Sequence, residues 1–149
     1  MKFQTPHSLR TEHEELHAEL AGATKVEGKI GEAARAVAEV LHPHFAKEEE
    51  FAMPPLGALS MVSQGKITPD MRELLTMTDR LKAELSQMLE EHKTIVAAAK
   101  KLTQVALKEK RMEYAHFSEK LILHAKTEEK VLYPASILIG EYLSLKLNK

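Results

Sequence analysis

Apolar residues recur at three- and four-residue intervals along most of this 149-residue chain. This spacing is typical of amphipathic α-helices, whereas alternating strand-like patterns are nearly absent. Four main helices are expected, at about Pro6–Gly22, Gly31–Phe51, Asp70–Leu107 and Glu113–Tyr133. The pattern therefore predicts an all-α protein, an up-down-up-down four-helix bundle with a short extra C-terminal helix at about 135–147. One domain covering residues 1–149 is expected, with the bundle at about 6–133.

Several boundaries follow from local signals. Thr5 and Thr68 each precede a proline and are predicted as helix N-caps. The third helix is long enough for a break to be expected near residues 77–79. On the terminal helix, one side carries Leu138, Tyr142 and Leu145, and that side is expected to cap the bundle or to form a dimer contact.

Polar residues occupy inward positions on each of the four apolar stripes. In the fourth stripe, for example, His124 and Glu128 fall between Leu121 and Val131. An unpaired carboxylate in an apolar core costs several kcal/mol, so it must be neutralised, paired or bound to metal. No Lys or Arg shares these inward positions, and a divalent cation is the simplest remedy. The six inward polar residues are His13, His44, Glu48, His92, His124 and Glu128.

The inward residues form a two-fold repeat with an offset of about 80 residues. The segment from His44 to Glu49 reads HFAKEE, and 124–129 reads HAKTEE; a proline follows each at the same distance. A further histidine, His13 or His92, precedes each copy by 31 or 32 residues. His and Glu four residues apart share one face of a helix. Two such pairs and two more histidines can meet inside a bundle and hold two metal ions.

Composition narrows the chemistry of such a site. The chain has no cysteine, which excludes disulfides, thiolate ligands and iron–sulfur clusters and leaves nitrogen and oxygen donors. Its net charge of −1 provides no basic field for a nucleic acid or a membrane surface. No apolar stretch is long enough for a membrane span, and the first residues lack the apolar core of a signal peptide, so a cytoplasmic location is expected.

Four imidazoles and two carboxylates suit a pair of iron ions with a bridging oxo or hydroxo group, although zinc or manganese would fit the same donors. Such a centre keeps room for an exogenous molecule, and dioxygen, peroxide and nitric oxide are the candidates. Hydrogen bonds from the second nitrogen of each imidazole are expected to reach neighbouring carboxylates. The predicted acceptors are Glu12, Glu49, Glu91 and Glu129.

The motifs resemble those of the hemerythrin-like, HHE cation-binding family. They are Arg10–His13, residues 44–49 with Pro54, Glu91 with His92, and residues 124–129 with Leu132–Pro134. The resemblance runs roughly from Pro6 to Pro134. It implies a four-helix bundle around a non-haem di-iron centre, with the six inward residues as ligands.

Two positions depart from the oxygen-carrying hemerythrins. Val96 stands where those carriers have a second histidine, one turn after the ligand of the third helix. Glu128 follows His124 by four residues, where they place an aspartate five residues after the histidine. The resemblance therefore supports di-iron binding more strongly than oxygen transport.

Other residues give weaker signals. His17, one turn after His13, could supply a fifth imidazole. Tyr133 could reach the site, although a place at the end of the bundle is favoured. His7, His42 and His116 are expected at the surface or at a helix start, and Met88 is expected near the metals.

Three functions remain open on this evidence. The first is a binding protein for gas sensing, gas storage or iron handling. The second is an enzyme that consumes peroxide or nitric oxide, or that assists repair of iron centres. The third is a zinc-stapled structural bundle. The expected partner is a small gaseous or peroxide ligand, with neither nucleic acid nor membrane, and the chain is expected to be a monomer or a homodimer.

Overall fold

The computed structural model describes residues 3–147, which fold into helices joined by short connections. The α-helices are α1 His7–Thr24, α2 Lys29–Lys47, α3 Leu59–Ser63, α4 Glu73–Lys108, α5 Met112–Thr127 and α6 Tyr133–Leu147. A closed ring is formed by helices α1, α2, α4 and α5. Each packs against the next in this order, and α5 packs against α1. The predicted all-α, four-helix bundle is confirmed.

The remaining segments lie at one end of this ring. Two 3₁₀ turns, Pro54–Ala58 and Pro69–Arg72, flank α3 in the connection between α2 and α4. Helix α6 packs against α4 and against both of these turns. The extra C-terminal helix is therefore present, and it begins at Tyr133 rather than at residue 135.

Both copies of the repeated motif end in a π turn. These turns are Glu48–Ala52 and Glu128–Leu132, so each begins at an inward glutamate. In each, the backbone N–H five residues later donates to the glutamate carbonyl, from Met53 in the first and from Tyr133 in the second. The prolines that follow have no N–H, so the regular α-helical bonding pattern cannot continue through these turns.

The second π turn corrects the predicted inward face of the C-terminal segment. A π turn holds one more residue than an α-helical turn, so every later side chain moves by one position around the helix. Val131, Leu138 and Leu145 are 55, 68 and 64% exposed. The buried residues are Tyr133, Ser136, Ile139, Gly140 and Leu143. Leu138 and Leu145 thus point outward, so they do not cap the bundle, and the alternative dimer contact stays a prediction.

Two local predictions are also wrong. Pro6, not Thr5, is the N-cap of α1, and no side-chain hydrogen bond caps that helix. Thr68, by contrast, is the N-cap of the 3₁₀ turn that leads into α4, as predicted, although its hydroxyl bonds the side chain of Asp70 rather than a backbone N–H. No break interrupts α4 near residues 77–79. Packing against α6 explains this continuity, because buried Thr78 meets the backbone of α6 at Gly140.

The core consists of two apolar clusters along the axis of the bundle. One cluster includes Leu16, Leu41 and Phe117, and the other includes Phe51 and Leu81. The inward histidines and glutamates lie between them, because α2 passes from the first cluster to the second between Phe45 and Phe51. The bundle therefore encloses a polar layer between two apolar ones.

Among the helices of residues 3–147, none combines the length and apolar character required to span a bilayer.

The contact between α4 and α6 can be tested at Gly140. A Cβ atom there would lie 2.2 Å from the Thr78 hydroxyl oxygen, so Gly140→Ala forces the two helices apart. We expect a free energy of unfolding lower by about 1–3 kcal/mol in chemical denaturation. Gly22→Ala is the matched control, since nothing lies within 4 Å of its Cβ, and it should raise stability by up to about 1 kcal/mol. Equal stability of the two variants would contradict the packing described.

Candidate metal centre

The six inward polar residues meet in the layer between the two apolar clusters. Helix α1 supplies His13, α2 and its π turn supply His44 and Glu48, and α4 supplies His92. Helix α5 and its π turn contribute the remaining pair, His124 and Glu128. None of the six is more than 4% exposed. All four ring helices therefore bring their donors to the same height, where the apolar stripes are interrupted.

One group of donors comprises His44, Glu48, His92 and Glu128. Its ligand atoms all lie within 4.8 Å of one another. Glu48 Oε2 lies 3.5 Å from His44 Nε2, and Glu128 Oε1 lies 3.0 Å from His92 Nε2. Two imidazoles from opposite halves of the repeat thus face two carboxylates.

A second group comprises His13, His124 and Glu128. The two Nε2 atoms are 3.1 Å apart, and Glu128 Oε2 lies 3.4 Å from His13 Nε2 and 2.9 Å from that of His124. The other oxygen of Glu48, Oε1, lies 3.8 Å from His13 Nε2. Each carboxylate therefore presents one oxygen to each group, as a carboxylate that bridges two ions does.

These residues fit a pair of metal ions on two counts. Neighbouring donors of an octahedral ion with bonds near 2.1 Å lie about 3 Å apart, which is the spacing of the closest donor pairs here. Glu48 Oε1 is fully buried and has no hydrogen-bond partner among the described residues. A buried carboxylate oxygen without a partner is costly, and a cation held between it and the imidazoles of the second group removes that cost.

The second nitrogen of each imidazole faces a carboxylate at the edge of the layer. The pairs are His44 Nδ1 with Glu91 at 2.7 Å, His92 Nδ1 with Glu129 at 2.9 Å, His124 Nδ1 with Glu12, and His13 Nδ1 with Glu49 at 4.0 Å. The first three are hydrogen bonds donated by Nδ1, and they leave Nε2 as the metal-facing nitrogen. All four glutamates predicted from the sequence occupy these places.

The two buried carboxyl groups hold charge unequally. Burial raises the pKa of Glu128 well above 4.5, and the nearby charge of Glu48 raises it further. Burial acts in the same direction on Glu48, but hydrogen bonds with His44 and Glu128 outweigh it and lower its pKa to about 2. The pKa values of the two carboxyl groups are thus shifted in opposite directions, as expected of like charges held together.

The pKa values of His13 and His44 are also shifted in opposite directions. Burial lowers the pKa of His13 to about 4, so this ring is neutral near pH 7; it stacks on Phe45 with ring centres 4.2 Å apart. Burial also acts to lower the pKa of His44, but its bonds to Glu48 and Glu91 outweigh burial and raise it. His44 therefore holds a proton more readily than a free imidazole does, and His13 holds one less readily.

Tyr133 lies inside the site rather than at the end of the bundle. Its side chain is fully buried, and its hydroxyl lies 3.1 Å from Nε2 of both His44 and His92. It donates a hydrogen bond to Glu48 Oε2 at 2.5 Å. The sequence signal was its position five residues after Glu128, which becomes inward only when the π turn is taken into account.

His17 belongs to neither group of donors, so the fifth imidazole left open by the sequence does not join them. Its ring stacks on that of His42, with centres 5.1 Å apart, and meets Phe45 edge-on. His7, His42 and His116 are exposed, and Met88 is buried one turn before the α4 ligand, as predicted.

The number of metal ions per chain should distinguish a donor that belongs to both groups from a donor that belongs to one. His44 belongs to one group only, so His44→Ala should leave about one ion per chain. Glu128 belongs to both groups, and Glu128→Ala should leave less than one. The measurement is elemental analysis of purified, metal-loaded protein. His42→Ala, which removes an exposed imidazole on the same helix, should keep the full content; two ions in the His44 variant would contradict the assignment.

Metal binding should also depend on pH. Protons on His44 and Glu128 compete with the metal, because both groups have raised pKa values. Affinity for Zn²⁺ should therefore rise with pH through and above 6.5, and binding should release protons. Competition with a chelating dye of known pH response, at several pH values on both sides of 6.5, gives the affinity. An affinity independent of pH would show that these groups do not bind the metal.

Comparison with known proteins agrees with this geometry. Neither the curated proteins nor the solved structures gave a match to the chain. Residues 5–136 match a protein family described as the hemerythrin HHE cation-binding domain. The matched segment covers most of the chain and contains the whole His/Glu layer. The chain therefore belongs to the hemerythrin HHE cation-binding domain family, and its buried His/Glu cluster suits the cation that the family binds.

Proposed function

We propose that this protein holds two iron ions in the His/Glu layer and binds dioxygen or a related small molecule there. One observation carries the proposal: Glu48 and Glu128 each direct one oxygen to the His44–His92 pair and the other towards the His13–His124 pair. Two carboxylates shared in this way support a pair of ions rather than one.

The donor set favours iron. Imidazole nitrogen suits iron, and bridging carboxylates accommodate both its ferrous and its ferric state. Each ion would receive two imidazoles and an oxygen from each of two carboxylates, which is fewer than the six donors of an octahedral ion. Iron ions with an open position supply reversible binding of dioxygen, or of peroxide or nitric oxide.

The chain's own residues support binding of a small, uncharged molecule. The side chains that face the layer from the two clusters are fully buried and exclude water. They include Leu41, Phe45, Met88, Ile95 and Leu121. A cavity of about 510 Å³ between the N-terminal segment and the end of α2 has His13 in its wall and offers a route from solvent. The carboxylates behind the imidazoles hold Nε2 towards the ions.

Reconstitution with iron tests the proposal. Protein loaded anaerobically with Fe²⁺ should hold about two ions per chain and should change its absorption spectrum when dioxygen is added. Removing dioxygen should restore the first spectrum. Glu128→Ala, treated in parallel, should show neither the iron content nor the change.

Two other results would replace the proposal. Colourless protein that retains zinc and excludes Fe²⁺ would indicate a structural metal site. Continuous consumption of added peroxide or nitric oxide, at many molecules per centre, would indicate an enzyme.

A further inference from the structure

We propose that the phenolic oxygen of Tyr133 is a seventh protein donor of the centre, bound to the ion that His44 and His92 hold. The inference rests on the proposed function, because it requires iron in the layer. It makes the two ions unequal, with the open position on the ion of His13 and His124.

Three acceptor atoms surround the hydroxyl oxygen of Tyr133. They are Nε2 of His44, Nε2 of His92 and Oε2 of Glu48, at 3.1, 3.1 and 2.5 Å. Both histidines direct Nδ1 to an outer carboxylate, so when neutral they present a lone pair at Nε2. One O–H group satisfies one of three acceptors. A cation among these atoms satisfies all of them.

The distances around the phenolic oxygen are those expected of donors to one metal ion. Neighbouring donors of an octahedral ion with bonds near 2.1 Å lie about 3 Å apart. The distances from the phenolic oxygen to the two Nε2 atoms match this value. The oxygen therefore already lies where a further donor of the same ion belongs, and only small shifts of these side chains are required.

The repeat shows why the other ion lacks this donor. Residue 53 occupies in the first copy the place that residue 133 occupies in the second, and it is a methionine. Met53 is fully buried in the apolar cluster that also contains Tyr133. A thioether is a poor ligand for ferric iron compared with a phenolate oxygen. The ion of His13 and His124 thus keeps the position that faces the cavity beside His13.

Coordination involves a simple exchange. The phenol O–H bond breaks, its proton passes to solvent, and an oxygen–metal bond forms, with no change in oxidation state. Without a metal the phenol keeps its proton, because burial and the neighbouring carboxylates raise its pKa. The charge of a bound ion reverses that preference.

Spectroscopy of the ferric protein tests the proposal. Protein loaded with Fe²⁺ and oxidised by dioxygen in air should show a visible phenolate-to-iron charge-transfer band and tyrosine ring modes enhanced in resonance Raman. Tyr133→Phe removes only the oxygen and should lose both signals while keeping about two irons per chain. Tyr142→Phe is the matched control on the same helix and should keep both signals.

The outcomes separate this proposal from the proposed function. Two ferric ions per chain without the band in the wild type, or a band that survives in Tyr133→Phe, would overturn the tyrosine ligand alone. Failure of the wild type to hold iron would overturn the proposed function as well. If Tyr133→Phe does not fold, Tyr133→Met, which copies the residue of the first repeat, gives the same test.

Discussion

Two carboxylates, Glu48 and Glu128, are buried side by side in the apolar interior of the bundle, and the rest of the centre depends on that constraint. Two like charges at such a position cannot both persist without compensation. Burial and the charge of Glu48 raise the pKa of Glu128, and hydrogen bonds with Glu48 and Glu91 raise the pKa of His44, so both groups hold a proton more readily than they do in water. A cation compensates both charges at once. The burial that makes the layer unfavourable for the free chain therefore makes it selective for metal.

The outer carboxylates extend this arrangement to the surface. Each outer carboxylate is adjacent in sequence to one ligand but faces a ligand on a different helix. Glu91 adjoins His92 and bonds His44, and Glu12 adjoins His13 and bonds His124. These hydrogen bonds link neighbouring helices and also fix the orientation of the imidazole rings. His13 is the exception, since its Nδ1 lies 4.0 Å from Glu49. It also lies in the wall of the cavity of about 510 Å³, so the least constrained imidazole faces that cavity.

Helical periodicity placed the six inward residues correctly because all of them lie before or at the start of a π turn. Beyond Glu128 the same reasoning failed in one consistent way. Val131 was predicted inward and lies outward, while Tyr133 was placed at the end of the bundle and lies within the site. The extra residue in the π turn explains both errors. The continuity of α4 had a different cause, a contact with α6 about 60 residues later, which no local pattern could indicate.

The two halves of the repeat supply the same kinds of helices and ligands, but they differ in one buried residue beside the centre. Each contributes one histidine from a long helix, one His/Glu pair and one π turn, so the framework alone would hold two equivalent ions. The residue five positions after each glutamate breaks this symmetry, because it is Met53 in one half and Tyr133 in the other. The π turn gives this position its importance, since it directs the side chain into the core in both halves. Under the proposed tyrosine ligation, a duplicated framework yields a centre with one closed and one open side through a single substitution, which adds a donor on one side and leaves the six His and Glu ligands unchanged.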